Sequence, residues 1–505
     1  MSKTPTRRAG RKARKIARAA GPNVNPAPPG QAGGLYKPLQ RDEVRAICDA
    51  AFELLETLGM GEVPDRLATV LRDAGAIRLE SGRYALPRSL VGQAIDAAPK
   101  SFTFHARDPA RSIHVGGNSV HFGTGGAAVQ TLDRASGTYR DSTLADLHDL
   151  TRLQDALTNV SWFTRCCIAT DMPDPWALDV NTAYALMRNT TKPVATAFSE
   201  ASHVSPLVDL FNMASDGAFA ERPFVKAHIS PVISPMRYGA DAVDVTFACI
   251  EAGIPLSCIT AAQAGATAPA PLAGFLVQSL AETLASLVMV HAIKPGHPMV
   301  FSNWPLVIDL RTGAFSGGGG ETALMNAASA QIINQLGLVS GVAASMTDAK
   351  ALDAQYGMEK GLTSLAAALA GGNLIYESSG MTAALLGVSF EAFVLDNDMH
   401  AATYRVLRGI EVNDEALDLD TMRSAILGDG HFLGADQTIA AMERDYVYPT
   451  LADRDPPRTW QEGGALTAWD RASARVDEIL RTHNPVYIDP KTDVAIRKRF
   501  DIRAP

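Results

Sequence analysis

The residues best suited to chemistry lie between Asp309 and Gly380. In this stretch the segments DLRTGAFSGGGGE, MTDAKALDAQYGMEK and ALAGGNLIYESSG place many glycines, acids and amides between apolar runs. Polar loops on a rigid scaffold are where binding and catalysis concentrate, and a purely structural connection seldom needs so many such residues. The stretch therefore predicts a ligand site.

Several familiar kinds of site do not fit the spacing of the reactive residues. The chain has no HExxH motif and its eleven histidines are scattered, so no metal site is expected. SGGGGE lacks the lysine of a P-loop, GTGGAA is a weak match to a dinucleotide fingerprint, and no GxSxG elbow of a serine hydrolase is present. These glycines are interpreted as positions that permit close backbone approach.

The elements that must position these residues alternate from Ser119 onward. Short runs rich in Val, Ile, Phe and Thr are followed by segments with apolar residues at helical spacing, which is typical of parallel strands joined by crossover helices. The predicted strands begin at Ser119, Asn159, Lys192, Phe224, Pro255, Pro298, Val339 and Asn373. Eight such units predict an α/β fold, a TIM (β/α)8 barrel, although an open doubly wound sheet would give a similar count.

In a TIM barrel the reactive residues stand at the C-terminal ends of the strands and in the loops that follow. Polar or small residues occupy these predicted ends: Thr124, Thr170, Asp171, Ser199, Glu200, Ser230, Gln263, Asn303, Thr347, Asp348, Glu377 and Ser378.

Composition divides the rest of the chain. Residues 1–41 are rich in Arg and Lys, contain no acid and end in a Pro- and Gly-rich segment, which predicts a disordered basic tail and a flexible linker. Residues 42–118 are expected to form a helical and mixed N-terminal extension, residues 119–455 the barrel, and residues 456–505 a C-terminal extension.

Composition also limits the class of protein. A chain of 505 residues with 47% hydrophobic and 20% charged residues can bury a large core, and its apolar runs fall short of a membrane span. The net charge of −8 makes nucleic acid an unlikely partner, although the basic tail leaves an acidic partner open. Five cysteines without a CxxC pair favour buried thiols in a reducing cytoplasm.

Motifs spread along the chain resemble those of the trimethylamine methyltransferase family, in its branch without pyrrolysine. In family order over residues 35–455 they are FGTGGAAVQTLD, SPVISP, GATAPAPLAGFLVQSLAE, DLRTGAFSGGGGE, MTDAKALDAQYGMEK, ALAGGNLIY and GHFLGADQT. The resemblance implies a TIM barrel that moves a methyl group from a methylated amine to the cobalt of a corrinoid (cobalamin) carried by a separate protein. Ala435, Asp436 and Gln437 stand where the family pattern has histidines.

The resemblance also bears on which amine is used. Family members that act on trimethylamine contain pyrrolysine, which the resemblance places near Gln355 and Tyr356, whereas this chain has standard residues there. A quaternary ammonium already carries the charge that makes the departing amine neutral, so it needs no activator. The expected substrate is glycine betaine or a related betaine, with the protein supplying position and desolvation.

Two other functions are weighed against this one. The first is a different barrel enzyme that acts on a small carboxylic acid with a divalent metal. The second is a protein that binds a quaternary amine without turning it over. For the methyltransferase, a corrinoid partner protein and a homo-oligomer are expected, with no cofactor tightly bound to this chain.

Candidate site residues follow from the resemblance and from position. The candidate catalytic residues are Asp348, Gln355, Tyr356 and Glu359, of which Gln355 and Glu359 share one helix face. Asp348 could instead cap a turn, and Glu359 with Lys360 could be a cap and a solvated charge at a helix start.

Aromatic faces bind quaternary ammonium groups by cation–π attraction, and an arginine fork can hold a carboxylate. The candidate substrate-binding residues are Phe122, Thr124, Gln263, Trp304, Arg311, Phe315 and Tyr376. Each aromatic could instead belong to the core, and Arg311 could pair only with Asp309.

Overall fold

The computed structural model describes residues 25–503 of the chain. The expectations about the first 24 residues of the basic tail therefore lie outside the described residues. From residue 41 onward, helices and short strands follow one another with few long irregular segments.

Eight parallel strands form the centre of the molecule. They are β1 (His121–Thr124), β2 (Phe163–Thr164), β3 (Val194–Thr196), β4 (Val225–Ile229), β5 (Leu256–Thr260), β6 (Met299–Asn303), β7 (Ser340–Ala343) and β8 (Leu374–Ser379). Each of the eight lies within a run predicted from the sequence, because Val-, Ile- and Ala-rich segments bounded by polar residues suit buried parallel strands.

The strands close into a ring. They pair in chain order from β2 to β8, β8 then pairs with β1, and β1 reaches β2 through a parallel bridge between Gly123 and Trp162. Gly123 permits this closure, since a Cβ at its position would lie 2.3 Å from the Trp162 ring. The prediction of a TIM (β/α)8 barrel is confirmed, and a doubly wound sheet does not describe this chain.

A helix follows each strand. These helices are α4 (Leu144–Ala156), α5 (Pro175–Asn189), α6 (Val204–Met213), α7 (Ala240–Glu251), α8 (Leu272–Ile293), α9 (Gly320–Gln335), α10 (Ala354–Ala370) and α11 (Phe390–Arg408). Before the barrel, the predicted helical extension consists of α1 (Arg41–Thr57), α2 (Asp65–Asp73) and α3 (Arg88–Ala97). After it come α12 (Asp414–Leu417), α13 (Leu419–Leu427), α14 (Asp436–Arg444), α15 (Pro457–Glu462), α16 (Ala468–Thr482) and α17 (Pro490–Arg499).

Helix α10, which carries several predicted site residues, has clear start and stop signals. The Asp353 carboxylate accepts hydrogen bonds from the backbone N–H groups of Gln355 and Tyr356. The helix ends at Gly371, whose φ of 88° is the left-handed conformation that glycine adopts without strain. Asp353, not Asp348, is therefore the cap of this helix.

Helix α8 is the one described helix long and apolar enough to span a membrane by length and composition. Of its most apolar 18-residue window, 78% is buried inside the protein, as is common for a helix that packs in a protein core. Its length exceeds the sequence expectation for the longest apolar element, but its burial explains its composition.

Short strands outside the eight-stranded ring form small sheets and hairpins that pack against the barrel. At the C-terminal mouth, Gln130–Leu132, Tyr139–Asp141, Met381–Thr382 and Gly387–Val388 form one small sheet, and Gln263–Ala264, Leu306–Ile308 and Phe315–Ser316 form another. The hairpin of Ser101–Phe104 and Ile113–Gly116 packs Phe104 and Val115 against interior residues of the barrel. Two further hairpins pair Ile77–Arg78 with Tyr84–Ala85 and Val232–Ile233 with Arg237–Tyr238.

The described part of the expected linker is packed onto the barrel. The N–H of Gly30 donates to Val120 O, and the N–H groups of Gly34 and Tyr36 donate to Leu369 O. Residues 30–36 are therefore held by backbone hydrogen bonds and differ from the flexible linker that their Pro and Gly content predicts.

Candidate active site

The interior of the barrel below the mouth is filled by a polar layer. Lys226 on β4 is fully buried, and its Nζ donates to the Tyr376 hydroxyl at 2.7 Å. The Tyr376 oxygen also contacts the Ser257 hydroxyl. Burial holds the pKa of Lys226 well below its usual range. The rings of Phe104, Trp162 and Tyr376 lie 4.9–5.8 Å from Nζ and favour the charged amine by cation–π attraction, which opposes this shift. This layer is a closed floor for whatever binds above it.

Three rings meet directly above that floor. The centroids of Trp304 and Tyr376 are 5.1 Å apart, and His228 lies 5.4 Å from Trp304 and 5.5 Å from Tyr376. Burial, with Lys226 and Arg165 nearby, lowers the pKa of His228 well below its usual range, so the imidazole is neutral. Neither His228 Nε2 nor Trp304 Nε1 has a hydrogen-bond partner within residues 25–503.

Glu377 is the most perturbed acid at the mouth. It is 2% exposed, and burial raises the pKa of its carboxyl to about 7, although the N–H of Gly126 and the charge of Lys360 both lower it. Its Oε2 lacks a hydrogen-bond partner in the described chain. A buried carboxyl with unused acceptor capacity and a perturbed pKa is typical of a functional site.

The chain holds Glu377 in a strained conformation. Its φ of 60° lies in the left-handed region, where the pairing of β8 with β1 also shifts register. Behind it, Lys360 Nζ pairs with Asp396 Oδ2 at 2.8 Å, and Asp396 also accepts from the Tyr356 hydroxyl at 2.6 Å and the N–H of Gly380 at 2.7 Å. This buried network fixes the end of β8.

Two glycines after β1 make room for the site. A Cβ on Gly125 would lie 1.5 Å from Glu377 Oε2, and one on Gly126 would lie 2.7 Å from Thr164 Oγ1 and 3.1 Å from His228 Nδ1. The weak dinucleotide-like pattern GTGGAA therefore serves close approach of backbone to side chains, as the sequence interpretation expected.

Arg165, directly after β2, brings a positive charge to the same mouth. It is partly buried, and its Nη1 has no hydrogen-bond partner within the described residues. Its charge acts on His228, which places the guanidinium near the three rings. Burial lowers the pKa of Arg165, with Asp179 as the opposing charge. A buried guanidinium nitrogen without a partner is costly, so it points to a ligand that supplies an acceptor.

Two acids fix the loops at the rim: Asp348 ties the Gly-rich loop to the loop after β7, and Glu359 on α10 holds that second loop. Asp348 accepts from Ser316 Oγ at 2.9 Å and from Gly317 N at 2.6 Å. Glu359 accepts from Thr347 Oγ1 at 2.6 Å, from Asp348 N at 2.8 Å and from Gln355 Nε2 at 2.9 Å. These carboxylates fix loops at the rim and do not themselves reach the ring cluster.

The structure brings together part of the predicted site. Trp304 and Tyr376 meet in the ring cluster, and Phe315 packs against it, partly exposed, from the Gly-rich loop. Asp348, Gln355 and Glu359 form the rim, and Gln263 begins a short rim strand.

Other predicted residues lie elsewhere. Phe122 stacks on His400 at 4.0 Å on the outer side of β1, and Tyr356 is buried against Asp396, so neither faces the mouth. Thr124 Oγ1 bonds to Thr164 and helps close the barrel. Arg311 is 88% exposed and pairs with Asp309 at 2.7 Å, which is the second of its two expected roles.

Sequence reasoning missed Arg165, His228 and the role of Lys360. Lys360 is fully buried and ion-paired rather than a solvated helix charge. The signal for His228 was present in the VKAHI strand, where Lys226 and His228 alternate with apolar residues and so point into the barrel. Glu377 was noted only as a strand-end residue.

Two further observations bear on the alternatives. Over residues 25–503, no three or more His, Cys, Asp or Glu side chains are grouped so as to hold a metal ion. The motif GHFLGADQT lies at exposed and partly exposed positions in the loop after α13 and in the first turn of α14.

The protein is an α/β barrel in which aromatic and charged side chains meet at the C-terminal ends of the strands, as expected for a barrel enzyme. Residues 7–504 match the family of trimethylamine methyltransferases (MTTB), and the chain belongs to that family. It is a methyltransferase.

Named relatives are similar over nearly the whole chain. A glycine betaine methyltransferase of Desulfitobacterium hafniense (strain Y51) is 28% identical, over 92% of this chain and 96% of its own length. A trimethylamine methyltransferase MttB of D. hafniense (strain DSM 10664 / DCB-2) is 29% identical, over 90% and 92%. Among solved structures, a dihydropteroate synthase from Coxiella burnetii gives a TM-score of 0.38 at 10% identity, covering 61% of this chain and all of that one.

Proposed function

We propose that this methyltransferase takes its methyl group from a quaternary amine that also carries a carboxylate, such as glycine betaine. The acceptor in this proposal is the Co(I) corrinoid of a separate partner protein. One observation carries the substrate assignment: the ring of Trp304 lies at the same mouth as Glu377 Oε2 and Arg165 Nη1, two buried polar atoms that have no hydrogen-bond partner among residues 25–503. A zwitterion offers a complement to each of these groups.

The cationic end of such a substrate fits the ring side of the mouth. An aromatic face attracts a quaternary ammonium by about 0.5–2 kcal/mol per contact, without a directed hydrogen bond. Trp304 and the partly exposed Phe315 offer aromatic faces there. Glu377 offers a carboxyl that is only partly ionised near neutral pH, because burial raises its pKa to about 7. Moderate attraction is suitable, because the ammonium charge disperses as the methyl group leaves and overly tight binding would favour the ground state.

The anionic end fits Arg165. Its Nη1 is buried and has no partner in the described part of the chain, and a carboxylate oxygen would complete a charge-assisted hydrogen bond. His228, neutral by burial, offers a second polar atom near the same place. Arg311, in contrast, is paired with Asp309 on the exposed rim.

The residues of this chain need move no proton in the reaction. The C–N bond breaks, its electron pair stays on nitrogen, and a neutral tertiary amine departs. When the partner protein is bound, its reduced cobalt supplies the electron pair that takes the methyl group. The chain's contribution is to orient the ammonium with one methyl toward the opening and to exclude water from it.

The rim has room for a large planar group. A Cβ on Gly313 or on Gly320 would meet no atom within 4 Å, so this side of the mouth faces open space. Asp348 holds the loop between these glycines in place, and Glu359 in turn accepts from the N–H of Asp348. An approach of the corrinoid from this side is therefore sterically possible.

A substrate panel tests the proposal. The full chain is mixed with a corrinoid protein reduced to Co(I), and glycine betaine, proline betaine, carnitine, choline, trimethylamine and dimethylamine are compared. We expect loss of the Co(I) absorbance, with release of the demethylated amine, for carboxylated quaternary amines and not for trimethylamine. Turnover of trimethylamine, or none with any betaine while a glycine betaine methyltransferase works on the same corrinoid protein, would contradict the proposal.

We also propose that the protein acts in the cytoplasm and forms a homo-oligomer. The five cysteines are all free and buried, which supports a reducing cytoplasm as the site of action. A homo-oligomer is tested by light scattering of the purified chain.

A further inference from the structure

A second feature of the molecule lies away from the mouth, in residues 409–448, which we call the acidic lobe. It contains α12, α13 and α14, and none of its residues is buried. Large apolar side chains stand in solvent, with Ile410 89% and Leu427 87% exposed. Soluble proteins rarely leave so many apolar side chains bare on one surface unless something covers them.

The lobe and α11 enclose a groove of about 1220 Å³. Apolar side chains that line it include Ile410, Met422, Ile426, Phe432 and Met442. Within residues 25–503 no element fills it. Of the arginines that also line it, Arg408 and Arg444 are engaged by Asp445.

The charge of the lobe indicates what could cover it. Residues 409–448 contain nine acids and two arginines, a formal charge of 2 − 9 = −7. Residues 1–24, which we call the basic arm, contain eight Lys and Arg and no acid, a formal charge of +8. The two segments have nearly equal and opposite charges within a chain whose total is −8, and the 40 residues of the lobe carry −7 of the −16 borne by residues 25–505.

The described chain starts beside the groove. Arg408, which lines the groove, donates from Nη1 to Pro26 O at 3.1 Å. Ala27 is fully buried in the same cluster as Leu407, with Val447 of the lobe packed against that cluster. The arm is thus tethered at the groove's edge, and its 24 residues can reach about 80 Å, far more than crossing the lobe requires.

We propose that the basic arm of the chain docks on the acidic lobe of the same chain. Its Lys and Arg side chains pair with the lobe acids, and the apolar groove takes up arm side chains such as Ile16. Asp414, Asp436 and Glu443 are exposed and have no ion-pair partner among residues 25–503, so they are available to the arm. Tethering favours this intramolecular pairing over capture of another molecule.

Charge reversal in the full chain, read by hydrogen exchange, tests the proposal. One variant reverses four arm charges (Arg11→Glu, Lys12→Glu, Arg14→Glu, Lys15→Glu) and another reverses three lobe charges (Asp414→Lys, Asp436→Lys, Glu443→Lys). We expect amides of residues 409–448 to exchange about tenfold faster in either variant and to regain protection when both sets are combined. The matched control, Glu80→Lys with Asp241→Lys and Asp244→Lys on other exposed surfaces, should leave the lobe unchanged.

Zero-length carbodiimide cross-linking of a mixture of unlabelled and 15N-labelled chain identifies the partner of the arm. The expected result is cross-links from Lys12 or Lys15 to lobe acids within one isotope label, which diminish at 1 M salt. Mixed-label cross-links would assign the surface to a second copy and overturn the proposal. Absence of arm-to-lobe cross-links, or protection that is not regained in the combined variant, would also overturn it.

Discussion

Glu377, at the mouth of the barrel, is held by the fold in an energetically unfavourable environment and backbone conformation. Burial raises the pKa of its carboxyl to about 7, one of its oxygens has no partner among residues 25–503, and the backbone at this position is left-handed. An asparagine or glycine would tolerate that backbone better. A residue kept at such a cost is a strong candidate for contact with substrate.

This cost has a measurable pH dependence. Between the ordinary value of 4.5 and the folded-state value of about 7, the folded chain keeps a proton that the unfolded chain has lost. Stability is therefore highest below about pH 4.5 for this group and falls by roughly 3 kcal/mol as pH rises to 7. Glu377→Gln should remove the fall, so urea unfolding should show the variant near wild type at pH 5 and more stable at pH 8. The exposed Glu321→Gln is the control, and parallel profiles for Glu377→Gln and wild type would contradict the assignment.

The same residue should set the pH dependence of substrate binding. An ammonium group favours the ionised carboxyl, so affinity for glycine betaine, measured by calorimetry without corrinoid, should rise as pH passes 7. In Glu377→Gln the rise should be absent and KM should increase more than kcat falls. An unchanged rise in the variant would remove Glu377 from the binding site.

Arg165 and Arg311 can be separated by ligands with and without a carboxylate. Loss of a charge-assisted hydrogen bond costs about 1.5–3 kcal/mol, so Arg165→Gln should weaken glycine betaine binding by about 10- to 100-fold. Choline, which has no carboxylate, should bind the variant nearly as well as wild type. Arg311→Gln should change either affinity by less than about threefold, because that guanidinium is already paired with Asp309. The opposite ranking of the two variants would show that Arg311 leaves Asp309 for the substrate.

At the scale of elements, the sequence predicts where strands, helices and loops lie better than it predicts the hydrogen-bond partners of the loop side chains. Strands of apolar residues and the helix periods between them indicate all eight units, and the acid- and Gly-rich loops fall at the mouth as expected. The loops' internal ties depend on backbone turns that no local pattern specifies. Asp348 was therefore expected to act on substrate, whereas its carboxylate holds Ser316 and Gly317.

This tie makes Asp348 a positioning residue, and the loop it holds can be released. Asp348→Ala should speed amide exchange in residues 313–320 about tenfold and raise KM about tenfold, since two hydrogen bonds worth roughly 1 kcal/mol each are lost. Overall thermal stability should change little, because the loop is not part of the barrel core. Lys350→Ala, an exposed neighbour, is the control, and normal loop exchange in Asp348→Ala would refute the role.

At the scale of the whole molecule, the count of strands could be read from the chain but the closure of the ring could not. Closure depends on residues far apart in sequence, such as His121 with Leu374, and on which face of a strand turns inward. Phe122 was expected in the mouth, yet it points outward to His400 and Tyr404. Inward and outward faces alternate residue by residue, so a single-residue offset in a predicted strand exchanges core and site.

Gly123 tests the closure itself, because the ring joins where this residue meets Trp162. A methyl group there would lie 2.3–2.7 Å from ring atoms of a fully buried Trp, and neither the strand nor the ring has room to yield. Gly123→Ala should therefore lower the free energy of unfolding by at least the roughly 1–3 kcal/mol of an overpacked core. Amide hydrogen exchange should become faster in both β1 and β2. Gly92→Ala, within α3 and with no atom near its added Cβ, should instead gain about 0.5–1 kcal/mol. If urea unfolding places the two variants at equal stability, β1 and β2 do not close the barrel through this contact.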